Sequence, residues 1–361
     1  MSDPSPIPGV EMSTAAFLGE TTQGPGEPTP IASWAEFAAI YGDFVDQAAF
    51  DRPTGFLHYA VRGYFENGGQ SAVIARVPDL SAGILEQTLA AVCDDQRASL
   101  IALPDHVNEP SSTAALVTRC DVAGWPLAIL ATSSPVENVS TLQPPHDTKN
   151  AALYYPWLRV PAPHRPDGTR VVPAVGHIAG IIARVAHERG VHLAPANEPI
   201  VGLAADPLSV LVSRADQDVL NPRGVNVIRD FRSAGRGIRV WGARTTSSDP
   251  EWKYVNVRRL LTYLERSIAE GTRWAVFEPN TPPTWTSMRA CIEEFLARAW
   301  RDGALQGRKV EEAFFVRCDR TTMTQDDLDR GRLVCLIGVA PVRPAEFVIF
   351  RIGQWTGSRS A

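Results

Sequence analysis

Between residues 56 and 132, apolar runs alternate with stretches of helical periodicity, and this alternation constrains the fold more than any other feature of the chain. Residues 72–77, 99–103 and 125–131 are short and apolar. Residues 80–93 and 112–120 place apolar side chains at helical spacing. Uninterrupted apolar strands separated by helices are typical of a parallel sheet that is covered on both faces. We therefore expect an α/β unit in this part of the chain.

Ligands of α/β folds usually bind at the carboxyl ends of the strands. Here those ends are residues 78–79, 104–105 and 132–133, and none of them belongs to a glycine-rich phosphate loop. Gly235-Arg236-Gly237 is followed by Val240 where a dinucleotide fingerprint needs a glycine. The sequence therefore predicts no nucleotide and no other cofactor.

Composition and charge exclude several classes of function. The chain has 361 residues and a formal net charge of −5, which argues against general nucleic-acid binding because that needs a basic surface. No run of about 18 apolar residues is present to cross a membrane, and the first residues lack the pattern of a secretory signal. The five cysteines form no closely spaced pairs, which favours reduced thiols. We expect cytoplasmic assembly, no nucleic-acid partner and no membrane insertion.

The last third of the chain combines two amphipathic helices with several strands. Apolar residues at helical spacing predict one helix over residues 254–268 and another over 285–299. The apolar run 274–277 between them is interpreted as a buried strand. Residues 314–318, 332–339 and 347–352 are interpreted as further strands. This pattern predicts an α+β layer of helices on a sheet.

Glu278 is the best candidate for a catalytic residue, because it follows the predicted strand 274–277. A carboxylate at a strand end can serve as the acid or nucleophile of a glycosidase, which needs a second carboxylate about 5–10 Å away. A carboxylate that pairs with an arginine or caps the following turn fits the same pattern. His187 and His192 are five residues apart with Gly190 between them, so we expect no metal site there.

Arginines are concentrated between residues 223 and 244. Three interpretations stay open: contact with phosphate groups, ion pairs with a neighbouring subunit, and a solvated surface. Aromatic residues are not interleaved as stacking platforms, and the chain is acidic as a whole, which disfavours the first of these. The six residues are Arg223, Arg229, Arg232, Arg236, Arg239 and Arg244.

Six segments of the last third carry a family resemblance through their order and spacing. They are 221–226 (NPRGVN), 237–245 (GIRVWGART), 256–259 (NVRR), 274–280 (WAVFEPN), 303–307 (GALQG) and 340–349 (APVRPAEFVI). Together they resemble the C-terminal domain of contractile tail sheath proteins. The helix pattern before Gly190 and the Ala-Pro-Ala-Asn stretch at 194–197 extend this resemblance to about residue 150.

The resemblance implies a structural subunit, not an enzyme. Such a subunit polymerises helically around an inner tube and contracts to drive the tube through a target envelope. The implied partners are other copies of the chain, the inner tube protein, baseplate and cap proteins, and sheath paralogues. The implied setting is a phage tail or a phage tail-like injection particle. The competing interpretation is an α/β enzyme with Glu278 as a glycosidase-like acid or base.

The pattern and the resemblance together predict a chain that is part α/β and part α+β. We expect an N-terminal arm at 1–30, a compact inserted α/β outer domain with its connecting segments at 31–150, a sheath core of the C-terminal α+β type at 151–345, and a C-terminal arm at 346–361. In the sheath family such arms add strands to the sheets of neighbouring subunits. Here the resemblance assigns them Thr14, Ala15, Phe17 and Leu18 at one end, and Phe347, Val348, Ile349, Phe350 and Ile352 at the other.

A helix of the C-terminal domain rests on the inner tube in the same family. The resemblance assigns that role here to the second amphipathic helix of the last third. Its charged residues point away from the apolar stripe, and they are Arg289, Glu293, Arg298 and Arg301.

Overall fold

The structure is a computed structural model that describes residues 6–44, 55–77 and 82–346. The first elements in chain order are β1 (Ala15–Gly19), β2 (Thr29–Ile31), α1 (Trp34–Tyr41), α2 (Leu57–Glu66), β3 (Ala72–Arg76), α3 (Ala82–Asp95), β4 (Leu100–Ala102), α4 (Pro110–Ala123) and β5 (Leu127–Ala131). The next are β6 (Ala151–Tyr155), β7 (Leu158–Pro161), β8 (Thr169–Val172), α5 (Val175–Arg189), β9 (Glu198–Pro199), α6 (Arg214–Leu220), β10 (Val225–Asp230) and β11 (Ile238–Val240). The last are α7 (Val255–Gly271), α8 (Pro282–Arg301), α9 (Val310–Ala313), β12 (Phe314–Arg317), α10 (Gln325–Asp329) and β13 (Leu336–Val339).

Nine strands form one sheet in the order β2-β3-β1-β4-β5-β6-β10-β11-β9. The strands from β3 to β10 in this order run parallel to one another, and β2 and β11 pair antiparallel at the two flanks. The predicted parallel sheet with α/β character is confirmed, because all three apolar runs between residues 72 and 131 lie in it.

Side chains of the sheet alternate between two buried layers. On β1, Ala15 and Phe17 pack with α1, α2 and α5 on one face. Ala16 and Leu18 pack with α3, α4 and α6 on the other face. Helices α2 and α5 approach closely because Gly176 lies against Ala60, where a Cβ atom would come within 2.1 Å of the Ala60 carbonyl oxygen. The small residues of α5 thus bring the two helices together over the sheet.

The prediction of an N-terminal arm is wrong for Thr14, Ala15, Phe17 and Leu18. Strand β1 lies in the middle of the sheet of its own subunit, paired with β3 on one edge and β4 on the other. Phe17 and Leu18 are both fully buried, and burial of such a side chain contributes about 1.5–3 kcal/mol. A strand with both edges occupied cannot add to a neighbour's sheet. Of the predicted arm 1–30, residues 1–5 lie outside the described residues.

The predicted boundary at residue 150 is also wrong. Strands β5 and β6 lie on either side of it and pair directly, with Ala128 opposite Ala151 and Ala131 opposite Tyr154. A hydrogen-bonded pair of buried strands belongs to one folding unit. A third apolar cluster lies apart from the two layers of the large sheet, where α7 and α8 pack over the β12–β13 pair through residues such as Leu264, Phe295 and Phe314.

The predicted strand at 274–277 does not form. Residues Arg273–Ala275 are a single 3₁₀ turn between α7 and α8. Val276 is 62% exposed and Phe277 fully exposed, so this apolar run is not part of the core. Apolar composition alone predicted the strand, but within the described residues no neighbouring strand lies there to pair with it.

Candidate assembly surfaces

The six clustered arginines all bind groups of their own chain. Arg223 donates from Nη1 to the carbonyl oxygens of Ser140 and Leu142, both at 3.0 Å. Arg229 donates to the side-chain oxygen of Gln217 at 3.0 Å. These contacts hold the polar loop that follows β5 and the helix α6 against the sheet. Both arginines therefore have partners within the subunit.

The other surface arginines of the cluster surround the turn between β10 and β11. Arg232 pairs with Asp230 at 2.7 Å, so its carboxylate partner lies in the same chain. Arg236 and Arg239 both bind Asn197. The side chain of Arg232 is still 49% exposed, so this turn presents a partly neutralised cationic surface to solvent.

Arg244 is buried and binds Glu346 through two nitrogens. Its Nε and Nη2 donate to the two carboxylate oxygens at 2.7 and 2.5 Å, and its Nη1 donates to the carbonyl oxygen of Asn221 at 2.7 Å. Tyr254 donates to the same carboxylate at 3.2 Å, and the ammonium of Lys253 lies 3.5 Å away. Arg244 is therefore not a surface partner for a neighbour. It anchors Glu346, the first residue of the predicted C-terminal arm.

The environment of Glu346 favours its charged form. Burial acts to raise its pKa, but the hydrogen bond and charge of Arg244, with help from Lys253, bring the net pKa below its usual range. The carboxylate is thus ionised at neutral pH and holds a fixed position. The predicted arm residues Phe347, Val348, Ile349, Phe350 and Ile352 lie outside the described residues.

Helix α8 has a charged face that is exposed along its length. Arg289 and Glu293 are 45% and 47% exposed and lie 3.8 Å apart, and Arg301 lies on the same exposed side. Arg298 differs from the other predicted residues of this face. It is partly buried and donates to the carbonyl oxygen of Ile7 at 2.6 Å, so it holds the N-terminal segment against the helix.

Strands β12 and β13 form a separate sheet of two strands. They pair antiparallel from Phe314 opposite Val339 to Arg317 opposite Leu336. Within the described residues each of them pairs with one strand only. Phe315 and Leu336 are about half exposed. A two-stranded sheet with uncovered edges is marginal alone and offers hydrogen-bonding groups to a further strand.

Glu278 lies in the exposed turn between α7 and α8 and not at the end of a strand. It follows Phe277, which has a positive φ of 73° and a fully exposed ring. Glu278 is therefore neither enclosed nor placed at a strand end, the two features expected of an acid or base at this position.

The crevice where an α/β fold usually binds anions is filled by a side chain of this protein. Asp105 follows β4 and is 4% exposed. It accepts hydrogen bonds from the backbone amides of Phe56 and Leu57 at the start of α2, and from that of Glu20 after β1. A Cβ atom at Gly19 would come within 2.3 Å of the same carboxylate. Asp105 thus receives the backbone amides at the start of α2, which a ligand could otherwise use, and its burial raises its pKa to about 7.

Metal-binding clusters and membrane-spanning helices are both absent from the part of the chain that the structure describes. It contains no group of three or more histidine, cysteine or acidic residues that could hold a metal ion. None of its helices combines the length and the apolar character needed to cross a membrane.

Known proteins match both the sequence and the fold. The family model of the phage tail sheath protein central domain matches residues 138–246, and that of the phage tail sheath C-terminal domain matches residues 247–354. The tail sheath protein of Vibrio phage KVP40 is 30% identical over 186 residues, which are 50% of this chain and 26% of that protein. The chain thus spans about a quarter of the length of that relative.

Solved structures match nearly the whole chain. A chain of the anti-feeding prophage baseplate is 31% identical with a TM-score of 0.81, and 96% of each chain is covered. The sheath complex of the extracellular contractile injection system PVC, in its contracted state, is 30% identical with a TM-score of 0.84, covering 99% of this chain and 96% of that chain. The fold and sequence together define a contractile tail sheath subunit. The chain belongs to the phage tail sheath protein family.

Sequence reasoning missed two of the residues that organise these surfaces. Asp105 belongs to the Pro104-Asp105 pair at the end of a predicted strand. A strand end of this kind suggests a ligand-binding loop, but gives no sign that the carboxylate binds the backbone amides at the start of α2. Glu346 was placed at the boundary of the arm without a partner. Its pairing with Arg244 joins positions 102 residues apart, and no local pattern signals such a contact.

Proposed function

We propose that this protein is the subunit of a contractile sheath, which polymerises helically around an inner tube and shortens to drive that tube through a target envelope. The observation that carries the proposal is the likeness to an injection-system sheath chain over nearly its full length. The uncovered two-stranded sheet of β12 and β13 supports it, because head-to-tail contacts that do not close generate a helical filament.

The joint between subunits is a strand added to the β12–β13 sheet. The donor is the segment 347–361, in which Phe347, Ile349 and Arg351 alternate with Val348, Phe350 and Ile352. Main-chain hydrogen bonds give such a joint its strength and alternate side chains give its register. Each bond contributes about 0.5–1.5 kcal/mol, so a few of them yield several kcal/mol per joint. Every subunit repeats this contribution along the polymer.

Arg244 fixes the point at which the donated strand leaves the body of its own subunit. Because Glu346 is held by two hydrogen bonds within the body of the subunit, movement of the donated strand starts at residue 347. The body can then rotate during contraction while the strand stays in its neighbour's sheet. Contraction is a passage between two packings of rigid bodies, which requires no nucleotide.

The exposed face of α8 is the surface that rests on the inner tube. Its Arg289 and Glu293 offer charges of both signs to the tube. Baseplate and cap proteins bind the two ends of the polymer, and sheath paralogues can share it. The complete particle is a phage tail or a phage tail-like injection device.

A catalytic role has no support in this geometry. The exposed turn position of Glu278 disfavours the glycosidase interpretation, and the occupied crevice at Asp105 disfavours anionic ligands at the strand ends. We infer that the protein acts through assembly and not through chemistry on a substrate.

Deletion of residues 347–361 tests the joint. The truncated chain retains Glu346 and is expected to keep the circular dichroism and melting temperature of the intact subunit, but to form no tubes in electron micrographs. A matched control replaces the same 15 residues by a flexible glycine-serine segment of equal length. It should also fail to form tubes, which separates loss of the strand from loss of chain length. Tubes of normal length from either variant contradict the joint.

A further inference from the structure

Two cysteines face each other at one end of the β12–β13 sheet. The antiparallel register ends with Arg317 opposite Leu336, and one further step along the two strands brings Cys318 opposite Cys335. Facing residues of an antiparallel pair have Cα atoms about 4.5–5.5 Å apart. Disulfides span Cα distances of about 4.4–6.8 Å, so the backbone is already within the required range.

Their side chains also point to the same side. Along β12 the buried residues are Phe314 and Val316, and Cys318 continues this inward alternation. Both cysteines belong to the apolar cluster beneath α8, and each thiol lies close enough to the other to shift its pKa. Cys318 is 3% exposed, whereas Cys335 is partly exposed and accessible to small reagents.

We propose that Cys318 and Cys335 form a disulfide within the subunit when the protein meets an oxidising medium. The crosslink joins the end of β12 to the start of β13 and closes the loop between them. The inference rests on the register of β12 and β13 and on the shared apolar cluster of the two thiols, and it stands whether or not the protein is a sheath subunit.

Thiol–disulfide exchange with a small disulfide such as oxidised glutathione supplies the oxidation. The thiolate of Cys335 attacks one sulfur of oxidised glutathione, forms a mixed disulfide and releases one glutathione thiolate. The thiolate of Cys318 then attacks Sγ of Cys335 and displaces the second glutathione thiolate. The two protein thiols are oxidised to one disulfide, and one glutathione disulfide is reduced to two thiols.

The surroundings of the pair make this oxidation slow. Burial raises the pKa of both thiols, and contact with Cys318 helps to raise that of Cys335 to about 12. Among the neighbouring charges, Arg289 acts to lower the pKa of Cys318, whereas Asp319 acts to raise it and Glu293 acts to raise that of Cys335. Since the thiolate is the attacking species, the exchange is slow at neutral pH and becomes faster as pH rises. It is suited to a slow structural crosslink and not to rapid sensing.

The crosslink stabilises the sheet by restricting the unfolded chain. The closed loop contains α10, which begins with a capping box between Thr324 and Asp327. Closing a loop of this length in the unfolded state is expected to raise the melting temperature by roughly 3–6 °C, provided that the native geometry is kept.

Mass spectrometry of the full-length chain tests the inference. The protein is incubated at pH 8.5 with oxidised glutathione and then alkylated under denaturing conditions. A non-reducing peptide map should contain one crosslinked species that joins the peptides of Cys318 and Cys335. The intact mass should show the loss of two hydrogens and no retained glutathione. The oxidised protein should melt at the higher temperature, and a reductant should reverse both changes.

Three variants complete the test. Cys318→Ser and Cys335→Ser should each abolish the crosslinked peptide and the rise in melting temperature. If one of the two variants folds poorly, the other is sufficient for the test. Cys93→Ser is the matched control, since Cys93 is buried in a different apolar cluster, the layer of α3, and should leave the crosslink unchanged. Wild-type protein that keeps Cys318 and Cys335 as thiols, or that stops at a glutathione adduct on Cys335, overturns the inference.

Discussion

The guanidinium of Arg244 binds the carboxylate of Glu346 through two hydrogen bonds of 2.7 and 2.5 Å, across 102 residues of chain. The pair is largely buried, with 8% and 16% of the two side chains exposed. The contact connects the loop after β11 to the last described residue of the chain. It ties Glu346, the first residue of the predicted C-terminal arm, to the body of the subunit.

Glu346→Gln should weaken this connection. The neutral amide cannot accept two charge-assisted bonds, so the free energy of unfolding at pH 7 should fall by about 1–3 kcal/mol. Because the folded-state pKa of Glu346 is lowered, its contribution is present above about pH 4.5 and is lost as pH falls through the folded value. Urea titrations at pH 7 and pH 3.5 measure the effect, and the difference between the two proteins should be smaller at the lower pH. Glu251→Gln, at an exposed position, is the control and should change stability by less than about 0.5 kcal/mol. An equal loss at both pH values contradicts the assigned ion pair.

Asp105 gives the wild-type protein an opposite pH dependence. Since burial raises its folded pKa to about 7, the folded state binds a proton more readily than the unfolded state. Stability from this group is therefore greatest below about pH 4 and declines as pH rises towards 7, by on the order of 2 kcal/mol between pH 5 and pH 8. Asp105→Asn cannot titrate and should lack this component. The measurement is the difference in unfolding free energy between the two pH values for each protein. Parallel profiles for wild type and variant contradict the raised pKa.

Phe277 combines backbone strain with a fully exposed ring. Its φ of 73° is unfavourable for an aromatic residue, and exposure means that no packing energy compensates for it. Phe277→Asn should therefore stabilise the isolated subunit by about 0.5–1 kcal/mol, because asparagine tolerates this conformation. Val276→Asn is the control next to it, where φ is −66° and no gain is expected. Thermal unfolding of both variants measures the change in stability. A Phe277→Asn variant that is less stable than the wild type would contradict the assigned backbone strain.

The charged face of α8 should matter for assembly and not for folding. Arg289→Glu reverses a charge that is 45% exposed, so subunit stability should change by less than about 0.5 kcal/mol. Co-sedimentation with the inner tube should fall markedly, and more at low salt than at high salt. Arg97→Glu, at a side chain 49% exposed before β4, is the control for general effects of charge reversal. Unchanged co-sedimentation of Arg289→Glu removes α8 from the tube interface.

Local patterns were sufficient to predict much of the fold. Ser33 caps α1 by accepting from the backbone amide of Glu36, and the Glu36 carboxylate accepts from the amide of Ala32. Gly190 ends α5, as its position after the helix predicted. The alternation of apolar strands and helices identified the parallel sheet, because each strand is buried on both faces. These features depend on residues within a few positions of one another.

Pairing between distant segments could not be predicted in the same way. The run Ala15–Gly19 has the composition of either a donated arm or a central strand, and its place between β3 and β4 depends on residues 72–102. Residues 274–277 have the composition of a strand but lack a neighbour to pair with. For Arg232 and Arg244 the sequence left three interpretations open, one of them ion pairs with a neighbouring subunit, whereas Asp230 and Glu346 of the same chain bind them. Residue type allowed carboxylate partners but could not identify them.

Electron microscopy of the full-length protein, produced together with the inner tube protein of its own gene cluster, tests the central claim most directly. The sheath account predicts hollow cylinders with a helical repeat, in which a strand from one subunit lies beside β12 and β13 of the next. A reconstruction that shows cylinders joined without such a strand contradicts the proposed joint. A protein that stays compact and monodisperse in the presence of the tube contradicts the sheath account itself.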